Sequence, residues 1–234
     1  MPSNSTTPST SSSSAEHRTA GSLSSAILLA LTGGSLDAFI YLNHGHVFAA
    51  AMTGNGVLLG ASILQHNYIE FIRHLLPILG FAIGILFANL LDDKFQRHSV
   101  TVGLLSEISV LLIASFRPGT FPDLLYVPII AIVAAYQVTS FRKVDTYSYN
   151  STFMTGNLRS AIDGLYDAFH PARRKEGLRK FRNLALIILA FLLGATAGAI
   201  LAPHLHNHTL WFIDLPLVAV LFFVVLSRDE SAAL

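Results

Sequence analysis

The 234-residue chain contains no cysteine, and charged side chains occupy only 12% of its positions. The missing cysteine excludes disulfide staples, thiol catalysis and cysteine-ligated zinc. The scarcity of charge excludes an ordinary soluble domain, which would carry about twice that share. There is no excess of one sign either: the net charge is +1, so nothing in the balance points to nucleic acid as a partner. Residues 1–21 hold almost no large apolar side chain and are rich in serine and threonine. Such a segment cannot offset the entropy of ordering itself, and it reads as a flexible, disordered, uncleaved tail.

What is abundant is apolar: 52% of residues are hydrophobic and the mean hydropathy is +0.55. Six segments stand out, Leu23–Leu42, Leu75–Leu91, Val100–Phe116, Leu124–Phe141, Leu184–Leu201 and Leu210–Leu226. Each approaches the roughly 20 residues that cross a bilayer core. Lipid forces every backbone group to find its partner within its own segment, so each reads as a helix. Two further stretches are less plain. Val47–Leu64 is apolar enough to resemble a span. Tyr147–Phe169 holds Arg159, Asp163 and Asp167, while Leu158, Ala161, Ile162, Leu165 and Phe169 repeat at helical spacing. That is an amphipathic helix, suited to an interface or to the wall of a polar cavity.

Lysine and arginine placement selects among topologies. With six spans and both termini cytoplasmic, 13 of these residues lie inside and only Arg73 and Arg117 outside. If both ambiguous stretches also crossed, ten would lie inside, four outside, and Arg159 would enter the membrane. Six spans are predicted. The cluster around Arg173, Arg174 and Lys175 then reads as a topology signal and a contact to anionic lipid.

An internal repeat organises the chain. Met52-Thr53-Gly54-Asn55 recurs as Met154-Thr155-Gly156-Asn157, 102 residues on. In each half an apolar span with a polar interruption, Asp37 or Gln137, precedes the motif. A short helix and two more spans follow, and the first of these two carries a GxxxG pair, Gly80/Gly84 or Gly194/Gly198. Three spans per unit is an odd number, so the second copy enters the membrane upside down. The predicted fold is therefore an all-α membrane protein of six transmembrane helices. They form two inverted three-span repeats, about residues 22–117 and 123–228, each with a short TGN-capped broken or re-entrant helix. Residues 22–228 make a single membrane domain.

Inverted repeats place ligand sites where broken helices meet. Thr53 and Thr155 are candidate caps for the first turns, Gly54 and Gly156 admit close approach, and Asn55 and Asn157 add a donor and an acceptor. Two such helix starts would suit an anion or the polar head of a substrate. The alternative is a pair of tight turns satisfied internally. Asp37, an ionisable group within a span, faces protein or water because lipid exposure costs roughly 2.5–3.5 kcal/mol on insertion scales. It would relay protons, bind a cation, or simply anchor the first turn. Gln137, in the matching place, cannot titrate. Glu107 lies mid-span in the third segment as a proton-sensitive group or a neutral buried acid, with no carboxylate at matching depth in the sixth. The GxxxG pairs let helices approach closely, within the chain or between copies in a homo-oligomer. His44 and His46, and His204, His206 and His208, read as solvated loop residues rather than metal ligands.

The run Gly34-Ser35-Leu36-Asp37-Ala38, then Val47-Phe48 leading to Met52-Thr53-Gly54-Asn55, resembles the YoaK-like family of uncharacterised multi-pass membrane proteins. Gln137 followed by Thr155-Gly156-Asn157 continues the resemblance, which covers roughly residues 23–227. It implies an integral protein of the cell membrane, of the bacterial inner membrane above all, and brings no catalytic residue or cofactor. The functional expectation is a transporter or channel for a small polar or anionic solute or ion. A non-catalytic membrane scaffold is the alternative. Without a recognisable serine–base pair or a histidine-rich core, no enzyme is expected.

Overall fold

The computed structural model describes residues 22–95, 98–144 and 147–232, with side chains up to residue 226. The tail at 1–21 lies outside the described residues. Eight α-helices are described: α1 Leu23–Asn43, α2 Met52–Leu64, α3 Tyr68–Phe95, α4 Ser99–Ser115, α5 Asp123–Ser140, α6 Met154–Ala168, α7 Arg174–Leu205 and α8 Thr209–Ala232. A 3-10 turn at His206–His208 joins α7 to α8, and a two-residue strand pair precedes α6. Lys143 of β1 (Lys143–Val144) faces Ser148 of β2 (Tyr147–Ser148) in antiparallel register.

The all-α prediction holds apart from that small pair. Four helical stretches have the length and apolarity to cross a membrane: Leu23–Asn43, Tyr68–Phe95, Asp123–Ser140 and Arg174–Leu226, the last including both α7 and α8. α4 is apolar but shorter, at 17 residues. Large side chains such as Leu86, Phe87, Leu193, Ile200, Leu215 and Phe222 stand exposed along these helices. A surface of this kind is stable against hydrocarbon rather than water.

α1 starts where Ser22 accepts a hydrogen bond from the Ser25 N–H, a serine cap. It is the most buried helix, and its most extensive contacts are with α7; α3 packs in the same way on α5. Glycine makes both approaches close. A Cβ on Gly194 or Gly198 would strike the Leu31 or Ser35 carbonyl of α1, and one on Gly34 would strike the Phe191 carbonyl of α7. Gly80 and Gly84 meet the Pro128 and Ile132 carbonyls of α5 in the same manner. The Ser35 hydroxyl donates across the first seam to the Gly194 carbonyl at 2.9 Å. The GxxxG pairs are thus taken up within one chain, each half's second long helix lying on the other half's first. A second copy would have to dock elsewhere.

One end of the bundle is tied by His44. Its ring is buried, lies 2.8 Å from Asp123 and 3.0 Å from Asn207, and stacks on Tyr126 at 4.1 Å. Asn207 in turn donates to the Arg117 carbonyl at 3.0 Å. The end of α1, the start of α5 and the α7–α8 turn therefore meet. His44 is a structural node, not the solvated loop residue expected. At the opposite end Ala26 and Ala30 of α1 pack with Val144, Tyr149 and Leu184.

Candidate functional site

The MTGN segments form the first turns of α2 and α6. Neither threonine caps its helix. Ala51 and Phe153 hold the cap positions, without side-chain hydrogen bonds. Each helix starts one residue before its threonine, which places the hydroxyl inside the first turn, so the predicted threonine caps are corrected.

The asparagines do the local work instead. Asn55 Oδ1 accepts from the Phe48 N–H at 2.9 Å, while its Nδ2 donates to the Phe48 carbonyl at 2.8 Å. Asn157 clasps Asn150 identically, accepting from its N–H at 3.1 Å and donating to its carbonyl at 2.6 Å. Both reach back seven residues. Each clasp turns the chain sharply ahead of the helix, and each brings a phenyl ring over the neighbouring glycine. A Cβ on Gly54 would lie 2.7 Å from the Phe48 ring, and one on Gly156 would lie 2.6 Å from the Phe153 ring. Asn55, Gly54, Asn157 and Gly156 are therefore committed to building the turns.

The polar interruptions support the same two segments. Asp37 Oδ1 accepts from the Ala50 N–H at 2.8 Å. Gln137 Nε2 donates to the Ser151 hydroxyl at 2.9 Å and to the Leu29 carbonyl of α1 at 3.0 Å. Gln137 is thus an internal brace with no place in the cavity wall. Asp37 differs. Its Oδ2 is buried and has no hydrogen-bond partner among the described residues, and its side chain lines a cavity of about 1150 Å³.

That cavity runs along α1 and α7, flanked by the two turns and bordered by Phe81 of α3 and Val138 of α5. Thr53 and Thr155 both line it, so the two copies of the motif converge on one space. Gly34 lies at its wall, where the close α1–α7 seam begins. Most of the remaining surface is aromatic and aliphatic, including Tyr41, Phe48, Phe81, Phe153 and Phe191. Asp37 is the one acidic or basic side chain in the lining.

Glu107 stands apart from this cavity. It is wholly buried on α4, facing α8, and the nearest acid influencing it is Asp214 of α8. Neither carboxyl has a hydrogen-bond partner among the described residues. In the sequence Asp214 lies nearer the outer end of the last segment, with no carboxylate at the depth of Glu107. Depth counted along each helix hid a neighbour that helix packing brings near.

These helices define an α-helical integral membrane protein with a buried carboxyl beside a cavity. The chain belongs to the family described as a protein of unknown function, DUF1275, whose model matches residues 25–223. It is similar to the UPF0700 transmembrane protein YoaK of Bacillus subtilis (strain 168), 31% identical over 192 residues, covering 79% of this chain and 85% of that protein. No solved structure matches.

Proposed function

We propose that this protein is a transporter or channel for a small polar solute, with six spans arranged as two inverted halves and no catalytic activity. The observation that carries the reading is the convergence of Thr53, Thr155 and Asp37 on one cavity. Residues 102 positions apart in matching motifs have no reason to share a space unless both halves build it. Inverted halves meeting at a shared site are the architecture of alternating access. A scaffold has no use for such a space and would present its glycine faces outward, whereas here they are packed inside. The anionic branch loses support, because no lysine, arginine or histidine stands in the lining.

The test is solute flux into liposomes holding the full-length protein, using neutral, cationic and anionic probes alongside protons. A Thr53→Val/Thr155→Val double variant keeps side-chain volume while removing both hydroxyls. Flux should fall by about tenfold or more, in line with loss of hydrogen bonds from a desolvated site. Undiminished flux, or no flux of any probe by the wild type, defeats the reading.

A further inference from the structure

We infer that the cavity takes an organic cation, an ammonium group on an apolar or aromatic body, with its charge drawn to the Asp37 carboxylate in the wall. This rests on the cavity being a solute site and adds the class of solute.

Four observations converge. First, Asp37 is 4% exposed and its two oxygens are unequal: Oδ1 accepts from Ala50, while Oδ2 is buried without a partner among the described residues. Gln137 braces the other half with a neutral amide that donates to the Ser151 hydroxyl, so only the first half carries a charge at this place. An uncompensated carboxylate in a low-dielectric wall is costly unless a counter-charge or donor meets it.

Second, no basic side chain lines the cavity, so a compensating positive charge must come from outside the chain. Third, the wall is rich in rings. Tyr41 and Phe48 stack with centroids 5.0 Å apart, and Phe81, Phe153 and Phe191 join them. Aromatic faces attract ammonium groups and repel anions. Fourth, at about 1150 Å³ the space exceeds what a bare metal ion fills and matches or exceeds pockets for drug-sized molecules. The hydroxyls of Thr53 and Thr155 supply acceptors for the remaining N–H groups.

The experiment compares three probes of similar body and different charge: 2-phenylethylammonium, 2-phenylethanol and 3-phenylpropionate. Binding is measured on the full-length protein in nanodiscs by calorimetry, independently of any flux. The wild type should bind the cation, with the alcohol weaker and the carboxylate undetected. Asp37→Asn keeps the acceptor for Ala50 and should weaken the cation by about tenfold or more, and the alcohol by much less, as expected for a desolvated charge pair. Tyr41→Leu, which removes a ring and leaves the Asp37–Ala50 hydrogen bond in place, should weaken the cation several-fold.

Equal binding of cation and carboxylate overturns the inference. So does equal cation binding by wild type and a folded Asp37→Asn protein, or binding of none of the three. Cation binding without flux leaves the inference standing and defeats transport. Carboxylate flux without cation binding does the reverse.

Discussion

Asn55 holds Phe48 by both of its backbone groups, at 2.9 and 2.8 Å, and so fixes a segment that has no helix or sheet of its own. The buried amide replaces two backbone hydrogen bonds that the chain cannot make elsewhere at that point. Asn55→Ala would leave the part-buried N–H and carbonyl of Phe48 without their partner, at a cost of about 1–3 kcal/mol in all. Asn157→Ala should behave alike through Asn150. Both variants should unfold at lower temperature in detergent; unchanged unfolding midpoints would show that the clasps are dispensable.

Gly198 and Gly60 make a matched pair of tests. A Cβ on Gly198 meets the Ser35 carbonyl, whereas one on Gly60 meets nothing within 4 Å. Gly198→Ala must push α7 away from α1 and should destabilise the protein by about 1–3 kcal/mol, as overpacking does. Gly60→Ala should leave stability unchanged or raise it by up to about 1 kcal/mol. Side-by-side thermal unfolding decides the matter, and equal effects of the two would contradict the seam geometry.

The natural absence of cysteine makes topology directly measurable. Single cysteines at exposed Gly119 and Lys175 should react with an impermeant maleimide from opposite faces of the membrane. A cysteine at exposed Lys94 should share the face of Lys175. Labelling of positions 94 and 175 from different sides would break the six-span arrangement and the inverted relation of the halves.

Glu107 combines full burial with two carboxyl oxygens that lack partners among the described residues, close to a second acid in Asp214. Replacing an unsatisfied buried polar group by an apolar one of similar shape is neutral or stabilising. Glu107→Met should therefore raise the unfolding midpoint, by an amount equivalent to about 1–3 kcal/mol. A lower midpoint would mean that the acid is engaged by something that stabilises it.

Much of the helix pattern was readable from hydropathy alone. The segment read as Leu23–Leu42 is α1, Leu23–Asn43, and Val100–Phe116 differs from α4 by one residue at each end. α3 and α7 run well beyond their apolar stretches, because charged turns such as Arg174–Arg182 continue the helix outside the apolar core. The amphipathic stripe near Leu158 correctly marked α6, yet of its residues Leu158 and Ile162 are exposed while Ala161 is buried against α7 beside the close Gly164–Gly177 approach. Periodicity gives a face, and glycine decides which face a neighbour can reach.

The site was legible in part. Repetition of the MTGN motif pointed to Thr53 and Thr155, which do line one cavity. The chemistry assigned to each position fared less well. Helix capping was assigned to threonine because it is a frequent cap, but a helix that begins one residue earlier removes the chance. Gln137 shares its register with Asp37, and only the three-dimensional arrangement separates a brace from a cavity wall. His44 could not have been found, since its partners lie 79 and 163 residues away.

The exchange of glycine seams has a consequence for how the molecule can come into being and how it can move. Gly80 and Gly84 need α5, and Gly194 and Gly198 need α1, so a fragment ending near residue 117 would leave Gly80 and Gly84 with no helix to pack on. Assembly must wait until α7 has been synthesised and returns to α1. Once closed, the arrangement resembles two clasped hands: α7 moves with α1 and α3 with α5, so any rocking motion carries these helix pairs as units.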